Sequence, residues 1–519
     1  MASNYTRLGA AELAALIASG EASSVAVVEA HIARLRQVHG TLNAMVAPRF
    51  DAARMEAHAA DARQRSGAPL GPLHGVPCTI KDCLDLEGSP STYGLESRAG
   101  HRALQDQTHV ALLRAAGAIP LAKSNVSQLL LYFEADNPVY GRTRNPWNAE
   151  RTCGGSSGGE GALVAVQASP LGLGNDIGGS VRVPAAFCGV TALKPTSGRC
   201  DDMSRFMPLG QRAVPCQVGV LARSVEDVAL GTGIISSAAE AQLPAVPALG
   251  DWRGVDPARL RIGWYTDDGS FAVAPAVARA VREAADMLRA AGATLVPWTP
   301  PDARAALNLF YGILGADAMQ VMRKRLGRGR LEPQIRQLLA LARLPRSGVR
   351  LLMGLLGAVG QHGLAANLQA FGYCSAAHYW ELVEAQLDYQ QRFAAALDGA
   401  SGGPIDLIVC PACALPAFTH GASAQLLTAG AYSCLYNLLG YPAGVVPVTT
   451  VGESEQVGRE PSGDLIQKTA RKVEQGSIGL PIAVQVVARP WREHQALAAM
   501  QLLQQAARSR VGYPVLPAF

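Results

Sequence analysis

The sequence predicts an α/β protein, a β-sheet with helices packed on it, from three changes of texture along its 519 residues. The first 65 residues carry successive helix-like segments. "AAELAALIASG" sets apolar residues at helical spacing before Gly20, and "VAVVEAHIARLRQV" repeats the pattern before Gly40. Over 71–200, short apolar runs broken by Gly and Pro ("HGVPCTIKD", "GAIPLAKSN") alternate with helical stretches such as "THVALLRAA". That alternation is how strands covered by helices read. Residues 202–400 are more helical, and after Pro404 the strand texture returns in "IDLIVCPA", "AGVVPVTTV" and "LPIAVQVVA". Together these predict a single domain over 1–519. Its core is drawn from about 66–230 and 404–505, with a helical elaboration over about 231–403.

Composition narrows the function classes. With 49% hydrophobic and 17% charged residues and no polar low-complexity tract, the chain is that of a packed globular protein. A net charge of +5 is small for this length and says little about nucleic acid, and no nucleic-acid partner is expected. The charge is concentrated: 323–350 holds nine basic residues against one acid, Glu332. Ten cysteines show no disulfide spacing. The one CxxC, Cys410 to Cys413, reads as a buried strand running into a loop rather than half of a zinc site. No metal and no cofactor is expected. The N-terminal residues lack the basic start and apolar run of a secretion signal, and no stretch offers the roughly 20 apolar residues of a membrane span. The expected location is cytoplasmic.

Three features carry chemistry. Lys81 follows the apolar run "GVPCTI", where an ammonium is costly to bury unless paired or neutralised. Ser156 and Ser157 stand between paired glycines in "GGSSGG", and Ser180 follows Gly178 and Gly179 in "DIGGSVR", 24 residues after Ser156. Residues 151–200 hold eleven of the 54 glycines, as backbone in unusual conformations or close to a ligand requires. A phosphate loop is excluded, since it needs Lys-Ser/Thr after its last glycine and Glu160 stands there instead. The G-x-S-x-G elbow of α/β-hydrolases is absent around Ser180. Cys188 lies close by, but its setting "AAFCGV" reads as a buried inert thiol.

The order and spacing of "KD" at 81–82, "GGSSGG" at 154–159 and "DIGGSVR" at 176–182 resemble the amidase signature family. The resemblance runs over most of the chain and is weakest from about 230 to 400. Within the family, "SPLGLGNDIGGSVRVPAAFCGVTALKPTSGR" and "LYNLLGYPAGVVPVTTV" look most like the fatty acid amide hydrolases, here a bacterial type without an N-terminal spanning helix. One departure is Asn175, where threonine is usual; beside the loop, it is expected to leave the reactive groups intact.

The resemblance implies the amidase signature fold, a large mixed twisted β-sheet flanked by helices on both sides. It also implies cleavage of an amide carbon–nitrogen bond through an acyl-enzyme on Ser180. Neutral Lys81 would take the proton of Ser156, which takes that of Ser180, across a cis peptide between Gly155 and Ser156. The backbone N–H groups of Ile177, Gly178, Gly179 and Ser180 would form the oxyanion hole, with Ser157, Asp176 and Arg182 holding the loop.

The substrate is read from a second stretch. Residues 351–380 contain no Lys, Arg, Asp or Glu, and they follow the basic patch directly. An ordinary core helix pair is one reading. The other is a helix–turn–helix cap over 343–375 that dips into a lipid surface, as in the resembled hydrolases, with the protein peripheral on the inner membrane. Leu130, Leu131 and Phe133 are candidates for an acyl channel. The leading expectation is therefore a hydrolase of lipophilic N-acyl amides, such as fatty acid amides and N-acylethanolamines, giving acid and amine, and the resemblance implies a homodimer. The alternatives are a glutaminase subunit of a tRNA amidotransferase, a small-molecule or aryl amidase of broad specificity, and a non-catalytic membrane-surface protein.

Overall fold

A computed structural model describes residues 5–518 except 203, 205, 209, 241–245 and 369–373. Among the described residues, eleven strands form one mixed sheet. They are β1 (Met45–Pro48), β2 (Pro77–Lys81), β3 (Ile119–Ser124), β4 (Leu171–Asp176), β5 (Thr191–Lys194), β6 (Gln217–Ala222), β7 (Arg261–Trp264), β8 (Thr294–Pro297), β9 (Leu407–Pro411), β10 (Ala443–Thr450) and β11 (Pro481–Ala488). The spatial order is β1-β3-β2-β4-β6-β5-β10-β11-β9-β7-β8. β2 runs parallel to β3 and β4, and β7 runs parallel to β8 and β9. The pairs between, from β4·β6 through β11·β9, are antiparallel.

Burial along the strands follows their place in that order. β2 to β6, β9 and β11 are buried at every position, so helices cover both faces there. The edge strands β1 and β8 are partly exposed. The helix Glu493–Arg508 packs on β10, Pro275–Ala290 packs on β9 and β11, and Arg182–Cys188 packs on β10 and β11. Pro275 starts its helix at a position where no N–H is needed, and Gly292, with φ +102°, turns the chain out of it.

The sequence texture missed two additions to the sheet. β1 lies within the helical first 65 residues, and β7 and β8 lie within 231–403, flanking the helix Pro275–Ala290 as a parallel unit. Each of these strands has only four residues, too few for a periodic signal.

Candidate active site

The site lies where β2 and β4, neighbours in the sheet, both end. Lys81 is the last residue of β2, and its side chain is fully buried. Its Nζ lies 2.7 Å from Ser156 Oγ and donates to Asn175 Oδ1 at 2.6 Å, with the Asn175 carbonyl at 3.4 Å. Burial pushes the Lys81 pKa down, against the opposing pull of Cys83, Cys216, Asp202 and Asp176. Ser156 follows a cis peptide bond from Gly155. At Gly155 a Cβ would meet the Tyr132 carbonyl oxygen at 2.4 Å, so only glycine fits against that backbone.

Two serine-bearing loops meet here. Ser157 donates its backbone N–H to the Ser180 carbonyl at 3.0 Å, and its Oγ donates to the Asn175 carbonyl at 3.4 Å. Ser156 and Ser180 both line a cavity of about 630 Å³, together with Leu130, Leu131, Asn175 and Asp202. Ile177, Ile313, Leu314, Met319 and Met322 add apolar wall.

Asp176, the last residue of β4, organises the Ser180 loop. It accepts from the N–H groups of Gly179 at 2.8 Å and Val181 at 3.1 Å, and from Arg182 Nε and Nη2 at 3.0 and 2.9 Å. Burial pushes its pKa up, but the Arg182 guanidinium prevails and holds the carboxyl well below the usual range. Arg182 Nη1 donates in turn to the Ser433 carbonyl at 2.9 Å and Gln485 Oε1 at 2.6 Å.

Three sequence expectations need adjusting. The Gly179 N–H already serves Asp176, so it is committed before any oxyanion forms. Among the described residues no acceptor takes the N–H of Ile177, Gly178 or Ser180. Phe133 is not in the cavity wall with Leu130 and Leu131 but in the main core, where its ring lies against Gly430. Asn175 does more than sit beside the loop, since it touches the lysine itself. Sequence reading missed Asp202, Ser433 and Gln485 altogether, for no local pattern marks residues that arrive from other elements.

Cys188 is buried with its thiol pKa pushed well above normal, the environment of an inert group. Cys410 ends up inside β9, and burial raises the Cys410 and Cys413 thiols to about 11 and about 12. Among the described residues no group of three His, Cys, Asp or Glu side chains is placed to hold a metal ion.

A model of the Amidase family matches residues 26–497. The chain belongs to the amidase family. It is 35% identical over 502 residues to fatty-acid amide hydrolase 1 of Sus scrofa, covering 94% of this chain and 84% of that relative. It is also 31% identical over 500 residues to one component of the glutamyl-tRNA(Gln) amidotransferase of Chloroflexus aurantiacus, covering 92% of each. A solved fatty acid amide hydrolase superposes with a TM-score of 0.79 over 96% of this chain and 85% of that one, at 23% identity. This amidase is thus a hydrolase of amide carbon–nitrogen bonds, on the mixed α/β fold that its motifs implied.

Proposed function

We propose that this amidase cleaves lipophilic N-acyl amides by a Ser–Ser–Lys relay, with Ser180 as nucleophile. The observation that carries this is the 2.7 Å contact of buried Lys81 Nζ with Ser156 Oγ, where Ser156 lines the same cavity as Ser180. Neutral Lys81 takes the Ser156 proton as Ser156 takes that of Ser180, while Ser180 Oγ bonds to the carbonyl carbon. The oxyanion is held by the open N–H groups of Ile177, Gly178 and Ser180, with Gly179 fixing the loop through Asp176. The proton then passes back through Ser156 to the departing nitrogen, and the carbon–nitrogen bond breaks. Water repeats the sequence on the acyl-enzyme, releasing the acid.

The substrate class rests on the cavity wall. Leu130, Leu131, Ile313, Leu314, Met319 and Met322 offer apolar surface to an acyl chain. The relative from Sus scrofa is named for fatty-acid amides. In this reading the core supplies the chemistry, and the 231–403 elaboration supplies much of the wall and a lipid contact. The helices Arg346–Ala358 and His362–Leu368 form a helix–turn–helix whose first member leaves Leu351, Leu355 and Val359 beside it 67%, 58% and 69% exposed. A core helix pair would cover such side chains. The remaining part of the predicted cap, 369–373, lies outside the described residues.

The test is a series of amides of graded acyl length with purified protein. The expected result is a kcat/KM that rises with chain length, with glutamine and acetamide the poorest substrates. Preference for glutamine or a short amide sinks the lipophilic assignment, and absence of Ser180 labelling by a fluorophosphonate sinks the nucleophile.

A further inference from the structure

Asn175 occupies the penultimate position of β4, paired with Val218 of β6. Its side chain spans two charged groups. Oδ1 accepts from Lys81 Nζ at 2.6 Å, and Nδ2 donates to Asp202 Oδ2 at 2.5 Å. Asp202 is held beside the start of β6 by its own N–H on the Cys216 carbonyl at 2.8 Å. It also accepts from Gln107 Nε2 and the Ser204 N–H, both at 2.9 Å. Among the described residues three donors and no acceptor contact this carboxyl; burial pushes its pKa up, and the donors and Lys81 pull toward the carboxylate. Lys81, Asn175 and Asp202 are 0%, 2% and 8% exposed.

We propose that Asn175 and Asp202 are positioning residues for Lys81, with Asp202 fixing which end of the Asn175 amide faces the amine. The proposal rests on the reading of Lys81 as the base. The two ends of an asparagine amide are almost the same in shape, so its orientation comes from its partners. A carboxylate only accepts, so Asp202 demands the NH₂ end and leaves the oxygen for Lys81. A neutral amine has two N–H groups and one lone pair. The Asn175 side-chain and backbone oxygens take the two N–H groups, which aims the lone pair at the Ser156 hydroxyl. A flipped amide would set NH₂ against the amine and oxygen against the carboxylate, and the base would lose its aim.

The same chain also sets when the base is ready. Asp176, Asp202, Glu160, Cys83 and Cys216 are the titratable groups that face Lys81. Burial favours the amine, whereas the Asp202 charge and the Asn175 oxygen favour the ammonium. Weakening either therefore lets Lys81 act as a base at lower pH.

The experiment is the pH dependence of Ser180 labelling by a fluorophosphonate on the full-length protein, compared among wild type, Asp202→Asn, Asn175→Leu and Lys81→Ala. Asp202→Asn keeps the size and removes the charge. Its acid limb is expected to fall by roughly one pH unit. Its plateau rate should drop up to about tenfold, as expected if the amide is no longer held one way round. Asn175→Leu should lower the plateau about 100-fold and shift the limb in the same direction. The limb is read in whichever variant keeps wild-type circular dichroism, because a merely structural role lowers the plateau without moving the limb. A downward shift supports the proposal. An unmoved limb overturns it, provided that Lys81→Ala slows labelling at neutral pH by about 10²–10⁴. If Lys81→Ala labels as the wild type does, the base assignment fails first.

Discussion

Asp176 and Arg182 form an ion pair at 2.9 Å with both side chains fully out of solvent, and it fastens the Ser180 loop to β11 and to the helix Ala431–Leu438. A buried pair adds little net stability, but breaking it strands a charge at a cost of about 3–5 kcal/mol. Arg182→Ala is therefore expected to destabilise the protein by about that amount, read as a drop in the denaturant midpoint. Arg182→Lys should not restore it, because one ammonium cannot reproduce the forked contact to Asp176 together with Ser433 and Gln485. An Arg182→Ala protein as stable as the wild type would show the pair to be dispensable.

Glu160, in the helix Gly158–Ala165 behind the serine loop, gives a pH dependence of known sign. Burial raises its pKa to about 7, and Thr79 Oγ1 donates to its Oε2 at 2.5 Å. In the unfolded chain it titrates near the ordinary carboxylate value of about 4.3. Between those values the folded state holds more protons, so this group's stabilising contribution is full below the lower value and declines as pH rises to about 7. The loss is on the order of 3–4 kcal/mol. Glu160→Gln should flatten that part of the stability curve, as measured by urea unfolding from pH 5 to 8. An unchanged slope would place the titration elsewhere.

Ser180→Ala and Lys81→Ala should fail in different ways. Ser180→Ala removes the atom that bonds to the acyl group, so no acyl-enzyme forms at any pH. Lys81→Ala keeps the hydroxyl but removes its proton acceptor, so labelling at neutral pH should fall by about 10²–10⁴ and climb as pH is raised. Full activity of Lys81→Ala at neutral pH would leave Ser180 as nucleophile and refute the relay.

The chemical residues were legible because glycine marks them. Paired glycines stand on both sides of Ser156–Ser157 and before Ser180, 24 residues on, and Lys81 closes an apolar run, but it is the resemblance to a family that joins the three into one candidate site. What the pattern leaves out arrives over distance. Asn175 is visible in the sequence only as a departure from threonine, because its partner Asp202 reaches it through the β4–β6 pairing. Leu130 and Leu131 face the cavity while Phe133, two residues on, enters the core. Leu129 and Leu130 have φ of +58° and +61°, so the chain turns there and no simple periodicity assigns the faces. The short strands β1, β7 and β8 were hidden for want of length.

The helix Arg346–Ala358 provides the last prediction. Arg343, Arg346 and Arg350 precede its exposed Leu351, Leu355 and Val359 in the chain, so under the proposed lipid contact apolar insertion and attraction to anionic headgroups would act together. Each basic residue near such a surface contributes about 1 kcal/mol, and apolar burial adds about 25 cal/mol per Å². Full-length protein should co-sediment with phosphatidylserine-containing vesicles more strongly than with neutral ones. Replacing the three apolar residues with serine should weaken that binding at least about tenfold. The same triple variant should still hydrolyse a short, water-soluble amide at close to the wild-type rate, because its side chains are not part of the cavity wall. If vesicle binding is indifferent to these three residues, the helix pair is not the lipid contact, and its apolar surface faces something other than a bilayer.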